Sequence, residues 1–347
     1  MIRRQTTWFP VLIVLLCIVF VADLLLGSVD IPLRDAIKIL LGGESDVRAW
    51  NHIMHHIRIP KAITATLAGA ALSVSGLQMQ TLFRNPLASP SELGISAGAA
   101  LGTGFLIMVA GQTQIDLSQL QRLGIGSSWL LVFSASVGAA FVFSLLLLVA
   151  RFVRDNVVLL IVGLLLGTLT LSITTVWQYY SQPENLQAFI AWTFGNIGGV
   201  SGPQLTILAL ISTAGLVFSF TLSKKLNAFL LGENYAASMG VSVPRMRLLI
   251  LINTCLLTGT VTAFCGPIGF VGIAVPHLTR ALMGTSNHLL LIPACSLTGS
   301  ILLLGCDIFA QLPGSEMVLP INIATSMIGA PIVIWIILKM HNLRTSF

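Results

Sequence analysis

The chain has 347 residues, of which 55% are hydrophobic and only 9% are charged, with a formal net charge of +6. Soluble domains carry about 25% charged residues, so this composition excludes a soluble globule and predicts an all-α, polytopic protein surrounded by membrane lipid. No basic stripe interleaves with aromatic residues, so we expect no nucleic acid partner and attribute the positive charge to membrane topology.

The first apolar segment, Trp8 to Leu26, follows a short basic N-terminus. It is too long for the core of a secretory signal, and no small-residue cleavage site follows it, so we predict a retained first span. The cysteines lie in apolar segments without Cys-x-x-Cys spacing, and we expect small buried hydrophobes at all five positions: Cys17, Cys255, Cys265, Cys295 and Cys306.

Apolar windows close to the roughly 20 residues that cross a bilayer recur along the whole chain. They predict about ten spans, of which the eighth is short: 9–27, 62–82, 93–110, 129–150, 157–176, 204–222, 246–265, 270–283, 289–310 and 320–338. We expect them to form a single transmembrane domain over residues 1–347.

Lysine and arginine are enriched in cytoplasmic loops, and this bias sets the orientation of the spans. With an even number of spans and a cytoplasmic N-terminus, these basic residues are cytoplasmic: Arg3, Arg4, Arg84, Arg151, Arg154, Lys224, Lys225, Arg245, Arg247, Arg280, Lys339 and Arg344. The remaining six are external: Arg34, Lys38, Arg48, Arg58, Lys61 and Arg122. The bias predicts cytoplasmic N- and C-termini.

Two external loops, 28–60 and 177–203, are long enough to fold on the surface, and the aromatic residues and glycines of the second predict a surface or re-entrant helix. Small residues four apart predict close helix packing, with a moving gate surface as the alternative, on three spans: Gly69 with Ser73, Gly98 with Gly102, and Gly163 with Gly167.

One internal loop, at about 223–243, contains an amphipathic stretch outside the predicted spans. Its apolar side chains need cover from water, so the stretch either packs on its own bundle or docks a partner: Phe229, Leu230, Tyr235 and Met239.

We find no catalytic site. Gly94-Ile-Ser96-Ala-Gly98 matches the Gly-x-Ser-x-Gly nucleophile elbow but opens a membrane helix, so we interpret it as a chance match and disfavour an intramembrane hydrolase. His52, His55 and His56 share a helix face on the external side. They form an interfacial polar stretch or, as the less favoured alternative, a metal or haem site.

Asp23 and Asp307 stand near the outer ends of the first and ninth spans, where we expect them to remain hydrated and structural. The competing functional class, an ion-coupled secondary transporter, usually needs carboxylates deep within its spans. No Gly-x-x-x-x-Gly-Lys-[Ser/Thr] motif occurs, so active transport needs a gradient or a separate ATPase subunit.

The apolar run from Gly266 to Arg280 is interrupted by glycine and proline. Such breaks are tolerated at membrane depth only where protein or a water-filled cavity satisfies the freed backbone groups. The run therefore predicts a segment that lines a path through the bundle.

This run and Leu231–Gly240 together resemble the signature of the FecCD permeases, the membrane subunits of ATP-driven importers for iron-siderophores, haem and cobalamin. The likeness continues in order over nearly the whole chain after residue 57: Arg58–Lys61, Leu82–Pro90, Leu93–Gly102, Asp307–Ala310, Glu316–Pro320 and Ile328–Pro331. It implies a type II ABC importer permease fold in a bacterial cytoplasmic (inner) membrane, without a cofactor or enzymatic activity of its own.

The resemblance also implies partners and site residues. A second copy of the chain would complete the path as a homodimer, two cytosolic ATPase subunits that consume ATP would bind beneath, and a periplasmic or lipid-anchored binding protein would dock above. The motif positions imply three sets of residues: Gly232, Glu233, Ala236 and Gly240 for coupling to the ATPase, Arg58 and Lys61 for docking, and Asn85 and Leu87 for a cytoplasmic gate.

Two departures from the family pattern reduce the expected docking charge. Gln311 stands where relatives often have arginine, and Lys61 replaces a frequent arginine. Lysine cannot bind a carboxylate through two parallel hydrogen bonds as arginine does. We predict a permease subunit that carries a ferric chelate (an iron-siderophore or haem), with cobalamin as the alternative cargo.

Overall fold

The computed structural model describes residues 7–27, 29, 31–110, 127–153, 155–311 and 318–344. These residues are predominantly helical and contain no strand, which confirms the all-α prediction for the described part of the chain. In chain order the helices are α1 Trp8–Leu25, α2 Leu33–Leu40, α3 Arg48–Phe83, α4 Ile95–Gly104, α5 Ser127–Ala150, α6 Asn156–Tyr180, α7 Pro183–Thr193, α8 Pro203–Thr221, α9 Ser223–Leu230, α10 Glu233–Ser238, α11 Val243–Cys265, α12 Val271–Met283, α13 His288–Ala310 and α14 Ile321–Arg344.

A helix covers each of the ten predicted spans. Within the described residues, seven helices are long and apolar enough to cross a membrane: α1, α3, α5, α6, α8, α11 and α13. The other three spans are shorter apolar helices: Ile95–Val109, Val271–Met283 and Ile321–Trp335. The predicted surface helix of the loop at 177–203 is α7. Several residues used above lie outside the described structure: Arg3, Arg4, Arg122, Arg154 and Glu316, and the side chains of Lys339 and Arg344.

Helix α3 is the centre of the bundle. It packs against α8, α11, α12 and α13, and 83% of its most apolar window is buried. Its polar side chains face neighbouring helices: Ser73 Oγ donates to Cys295 O at 2.8 Å, and Asn253 Nδ2 donates to Gln78 Oε1 at 3.0 Å. Such hydrogen bonds join helices in lipid, where the hydrophobic effect no longer drives them together.

Glycines bring helix backbones into direct contact. A Cβ atom added at Gly69 of α3 would overlap the carbonyl oxygen of Gly299 in α13. One added at Gly102 of α4 would overlap the carbonyl oxygen of Ser134 in α5. The spacing of small residues therefore marks sites of close packing, as predicted.

Helix α1 lies at the edge of the bundle, and only 17% of its span is buried by the rest of the chain. Cys17 on this helix is exposed, so the prediction that every cysteine is buried is wrong at this position. An apolar sequence cannot distinguish a residue that faces protein from one that faces lipid, because both environments favour the same side chains.

The glycine-proline break separates α11 from α12. Gly266 ends α11 with a positive φ of 74°, and the backbone groups freed here find partners in other segments. Asn196 N donates to Cys265 O at 2.7 Å, and Gly269 N donates to Asn322 Oδ1 at 3.0 Å. The void beside the break measures only about 10 Å³. Within one chain, other segments of the protein therefore pack against the break. The sequence predicted instead that this run lines an open path.

Candidate functional site

The 223–243 loop consists of the short helices α9 and α10 and the turns that flank α10. Gly232 joins the two helices with a φ of +115°, and Gly240 follows α10 with a φ of +82°. Both values lie where a side chain is strained, which explains glycine at these positions. Ala236 of α10 is fully buried. The implied coupling residues thus shape the loop and seat it on the bundle.

The apolar side chains of this loop divide into two groups. Phe229 is buried in the bundle, whereas Leu231 is 63% and Met239 60% exposed. Tyr235 and Leu230 are exposed as well. One side of the amphipathic stretch therefore packs on the bundle and the other presents an exposed apolar surface, while docking of a partner on that surface stays a prediction.

Glu233 joins the loop to two long helices. Its Oε1 accepts a hydrogen bond from Asn156 Nδ2 at 2.7 Å and lies 3.3 Å from an Arg247 guanidinium nitrogen. Asn156 also donates to Leu82 O at 2.9 Å, and Arg247 donates to Val153 O at 3.1 Å. This Glu233 network, defined as Glu233, Asn156 and Arg247, ties α10 to the first turns of α6 and α11.

Asn156 and Arg247 were not among the predicted site residues. A basic residue near the start of an apolar helix signals a partner, because an unpaired charge there is costly. Arg247 carries such a signal, but the sequence does not identify the carboxylate that pairs with it. Nothing in the sequence indicates that Asn156, 77 residues before Glu233, reaches the same oxygen atom.

The implied gate residues Asn85 and Leu87 lie in the turn after α3, beside the 223–243 loop. Asn85 Oδ1 accepts from Leu87 N at 2.9 Å, which fixes the turn and leaves the Leu87 side chain exposed. Pro86 O accepts from His277 Nε2 of α12 at 2.7 Å, and Arg84 donates to a carbonyl of α9. The turn therefore touches both the break helix α12 and the 223–243 loop.

A carboxylate cluster of Asp23, Lys61, Asp307 and Gln311 lies at the opposite end of the bundle. Lys61 Nζ is 2.9 Å from Asp307 Oδ2, and Gln311 Nε2 donates to Asp307 at 2.9 Å and to Asp23 at 3.2 Å. Both aspartates are buried. The expectation that they remain hydrated is wrong, because α1, α3 and α13 pack against one another here.

Arg58 is buried beside this cluster. Its guanidinium donates to Leu24 O at 2.8 Å, to Leu25 O at 3.0 Å and to Val29 O, so it satisfies carbonyl groups at the end of α1 and in the segment that follows. Arg58 and Lys61 therefore bind groups of their own chain. Docking of a binding protein through them stays a prediction to which this geometry gives no support.

The remaining chemical alternatives have no matching geometry in the described residues. His52 and His56 stack with ring centroids 4.4 Å apart, and no three His, Cys, Asp or Glu side chains in the described ranges form a group suited to a metal. Ser96 lies in the first turn of α4 rather than between a strand and a helix. This position excludes the nucleophile elbow.

The long apolar helices of the described residues define a polytopic membrane protein. The FecCD transport family matches residues 15–339, and the chain belongs to this family. It is therefore a permease of the ABC importer type, whose ATPase is a separate subunit.

The chain is similar to curated permeases over nearly its whole length. It is 32% identical to an ABC transporter permease protein of Methanocaldococcus jannaschii, over 98% of this chain and 96% of that protein. It is 34% identical to the vitamin B12 import system permease protein BtuC of Klebsiella pneumoniae, over 97% and 95% of the two chains.

Two solved structures resemble the fold. The first is a metal-chelate type ABC transporter in an inward-facing conformation, with a TM-score of 0.80 and 27% identity over 94% of this chain and 97% of that one. The second, PsaBC from Streptococcus pneumoniae in complex with Fab, has a TM-score of 0.52 and 16% identity over 82% and 93%, and shares the fold alone.

Proposed function

We propose that the chain moves a metal chelate across a bacterial inner membrane, from a binding protein into the cytoplasm, as one subunit of an ATP-driven importer. The observation that carries this proposal is the 223–243 loop. Its exposed apolar surface fits a partner protein, and the Glu233 network joins it to α6 and α11. A partner that pushes on the loop would move the first turns of both helices together.

The proposed assembly contains two copies of the chain, two ATPase subunits beneath the loops and a binding protein at the opposite end. The bias of basic residues supports a cytoplasmic 223–243 loop and cytoplasmic termini. In this orientation the exposed Leu87 side chains of the two copies narrow the cytoplasmic end of the path, and Asn85 holds the turn that carries them.

Cobalamin is the first cargo to test, because the BtuC relatives are vitamin B12 permeases and match nearly the whole chain. The ferric chelate predicted from the sequence is the second. Both are large metal chelates, and the solved structure with the higher TM-score is of the metal-chelate type. The alternative of an ion-coupled secondary transporter has less support, because such a transporter usually needs a carboxylate within its spans and Asp307 is already paired with Lys61.

Uptake by proteoliposomes tests the proposal. The chain is reconstituted with an ATPase subunit and a binding protein from the same genome, and uptake of radiolabelled cobalamin and of ferric siderophore is followed with and without ATP. We expect uptake of one cargo that requires both partners and ATP. Uptake by the chain alone would contradict the proposal and support a secondary transporter.

Glu233→Arg tests the coupling role within the same assay. It places a positive charge beside Arg247, so we expect ATP-driven uptake to be lost while the chain still elutes as a folded particle. Glu184→Arg is the matched control, because Glu184 is exposed on α7. Normal uptake by Glu233→Arg would refute the coupling assignment.

A further inference from the structure

A cleft lies between the end of α5 and the start of α11, beside the 223–243 loop. Its volume is about 680 Å³. Apolar side chains and three arginines line it: Leu147, Leu248, Leu251, Arg151, Arg245 and Arg247. We call it the arginine cleft. It is large enough for part of an organic molecule and combines an apolar wall with positive charge.

The positive charge of the arginine cleft is only partly neutralised. Glu233 also lines it but is engaged by Arg247 and Asn156. Arg151 and Arg245 are exposed, and no ion pair joins either of them to a carboxylate in the described ranges. An anion between these two guanidinium groups would gain charge-assisted hydrogen bonds without displacing an existing partner.

An exposed apolar stripe leads away from the arginine cleft along α11. Leu248, Ile252 and Leu256 are all exposed and stand four residues apart, so they share one helix face over about 12 Å. Leu148 and Phe141 extend a similar exposed surface along α5. A ligand with both an anionic group and a long apolar tail would match the cleft and the stripe together.

We propose that the arginine cleft binds an anionic phospholipid, with its phosphate between Arg151 and Arg245 and an acyl chain along Leu248, Ile252 and Leu256. Basic pockets between membrane helices at the cytoplasmic side suit anionic headgroups. A soluble phosphate would use the arginines but would leave the apolar wall and stripe unfilled. The lipid also lies beside Glu233, and so beside the coupling loop.

Native mass spectrometry of the purified full-length chain tests this site. The chain in mild detergent is titrated with dioleoylphosphatidylglycerol or dioleoylphosphatidylcholine, and bound lipids are counted. We expect one retained phosphatidylglycerol, with about thirtyfold higher affinity than phosphatidylcholine, because both Arg151 and Arg245 attract the anionic headgroup. Glycerol phosphate, which has no acyl chains, should not compete.

Two variants separate the roles of charge and shape. Arg151→Gln with Arg245→Gln should lower phosphatidylglycerol affinity about thirtyfold and leave phosphatidylcholine retention unchanged. Arg34→Gln with Arg48→Gln, at two exposed arginines of the opposite end, is the control and should change neither. Leu248→Trp should reduce retention by filling the cleft, whereas Leu210→Trp on an exposed face of α8 should not.

Several outcomes would overturn the proposal. Equal retention of the two lipids would remove the role of charge, as would an equal loss in the Arg34 and Arg48 control. Competition by glycerol phosphate would make the cleft a site for a free anion. If the Arg151 and Arg245 changes instead dissociated a dimer without changing lipid retention, the cleft would be an interface between copies.

Discussion

Gln311 follows α13 directly, and its amide nitrogen donates to carboxylates on two helices, Asp23 of α1 and Asp307 of α13. An arginine at this position would bring a third positive charge to a site that already contains Arg58 and Lys61. The amide instead bridges the two carboxylates without altering the charge balance. The departure from the family pattern thus has a structural role in this chain, and the loss of a docking charge is not needed to explain it.

Lys61 is the residue at which a structural and a docking role can be separated. Lys61→Met leaves Asp307 buried without its cation, so we expect the free energy of unfolding to fall by about 2–4 kcal/mol, a discounted value because Lys61 remains 17% exposed. Thermal unfolding of the detergent-solubilised chain measures this change. Lys38→Met, on exposed α2 at the same end, is the control.

If Lys61 instead has a docking role, we expect no loss of stability in Lys61→Met. The Met variant would then unfold at the wild-type temperature and lose affinity for the binding protein, with the largest effect at low ionic strength. That pair of results would restore the role implied by the family resemblance.

At the scale of elements, Asn156 connects α10 to α6. Asn156→Ala keeps the Glu233–Arg247 pair but removes the hydrogen bonds to Glu233 and Leu82. We expect transport per ATP hydrolysed to fall about fivefold, the lower end of usual coupling energies, while ATP hydrolysis itself continues. Parallel assays of phosphate release and uptake measure this ratio. An unchanged ratio would show that α6 follows the loop by another route.

Helices α4 and α5 can approach closely because Gly102 has no side chain. Gly102→Ala would place a methyl group against Ser134 O, so we expect the midpoint of thermal unfolding to fall by several degrees. Gly305→Ala makes the same change in α13, where no atom lies within 4 Å of the new methyl group. That variant should be as stable as the wild type, since alanine is the better helix former.

The elements were largely predictable from the sequence, because a helix that crosses lipid needs a long apolar segment. Even α12 was found, since the break before it contains glycine and proline. The contacts between side chains of different helices were not predictable. Asp23 looked hydrated because it lies near a span end, and only the packing of α13 against α1 shows that it is buried. The Glu233 network likewise depends on contacts across 77 and 14 residues.

At the scale of the whole molecule, α6 presents a long exposed apolar face. Only 22% of its span is buried, and exposed residues such as Ile161, Leu165 and Leu169 follow one face. Lipid or a second copy of the chain could cover this face, and composition alone does not separate the two. The proposed homodimer gives a direct way to decide.

Leu87→Cys tests the dimer and the gate together. In a Cys17→Ser background, which removes the exposed native thiol, we expect an oxidant to link two chains through Cys at position 87. The linkage should form because the proposed dimer places the gate turns of its two copies together. Phe152→Cys, at a position of the same end that is more exposed than Leu87, should not cross-link. Cross-linking at both positions would indicate random collision.

The carboxylate cluster also constrains the order in which the protein can be made. Asp23 leaves the ribosome 288 residues before Gln311, so α1 enters the membrane long before the groups that bury its carboxylate exist. Until then Asp23 must stay at the water interface, and α1 remains at the edge of the incomplete bundle without its contacts to α13. Docking of α1 is therefore completed only after α13 is synthesised, and a chain that stops before Asp307 would leave α1 undocked.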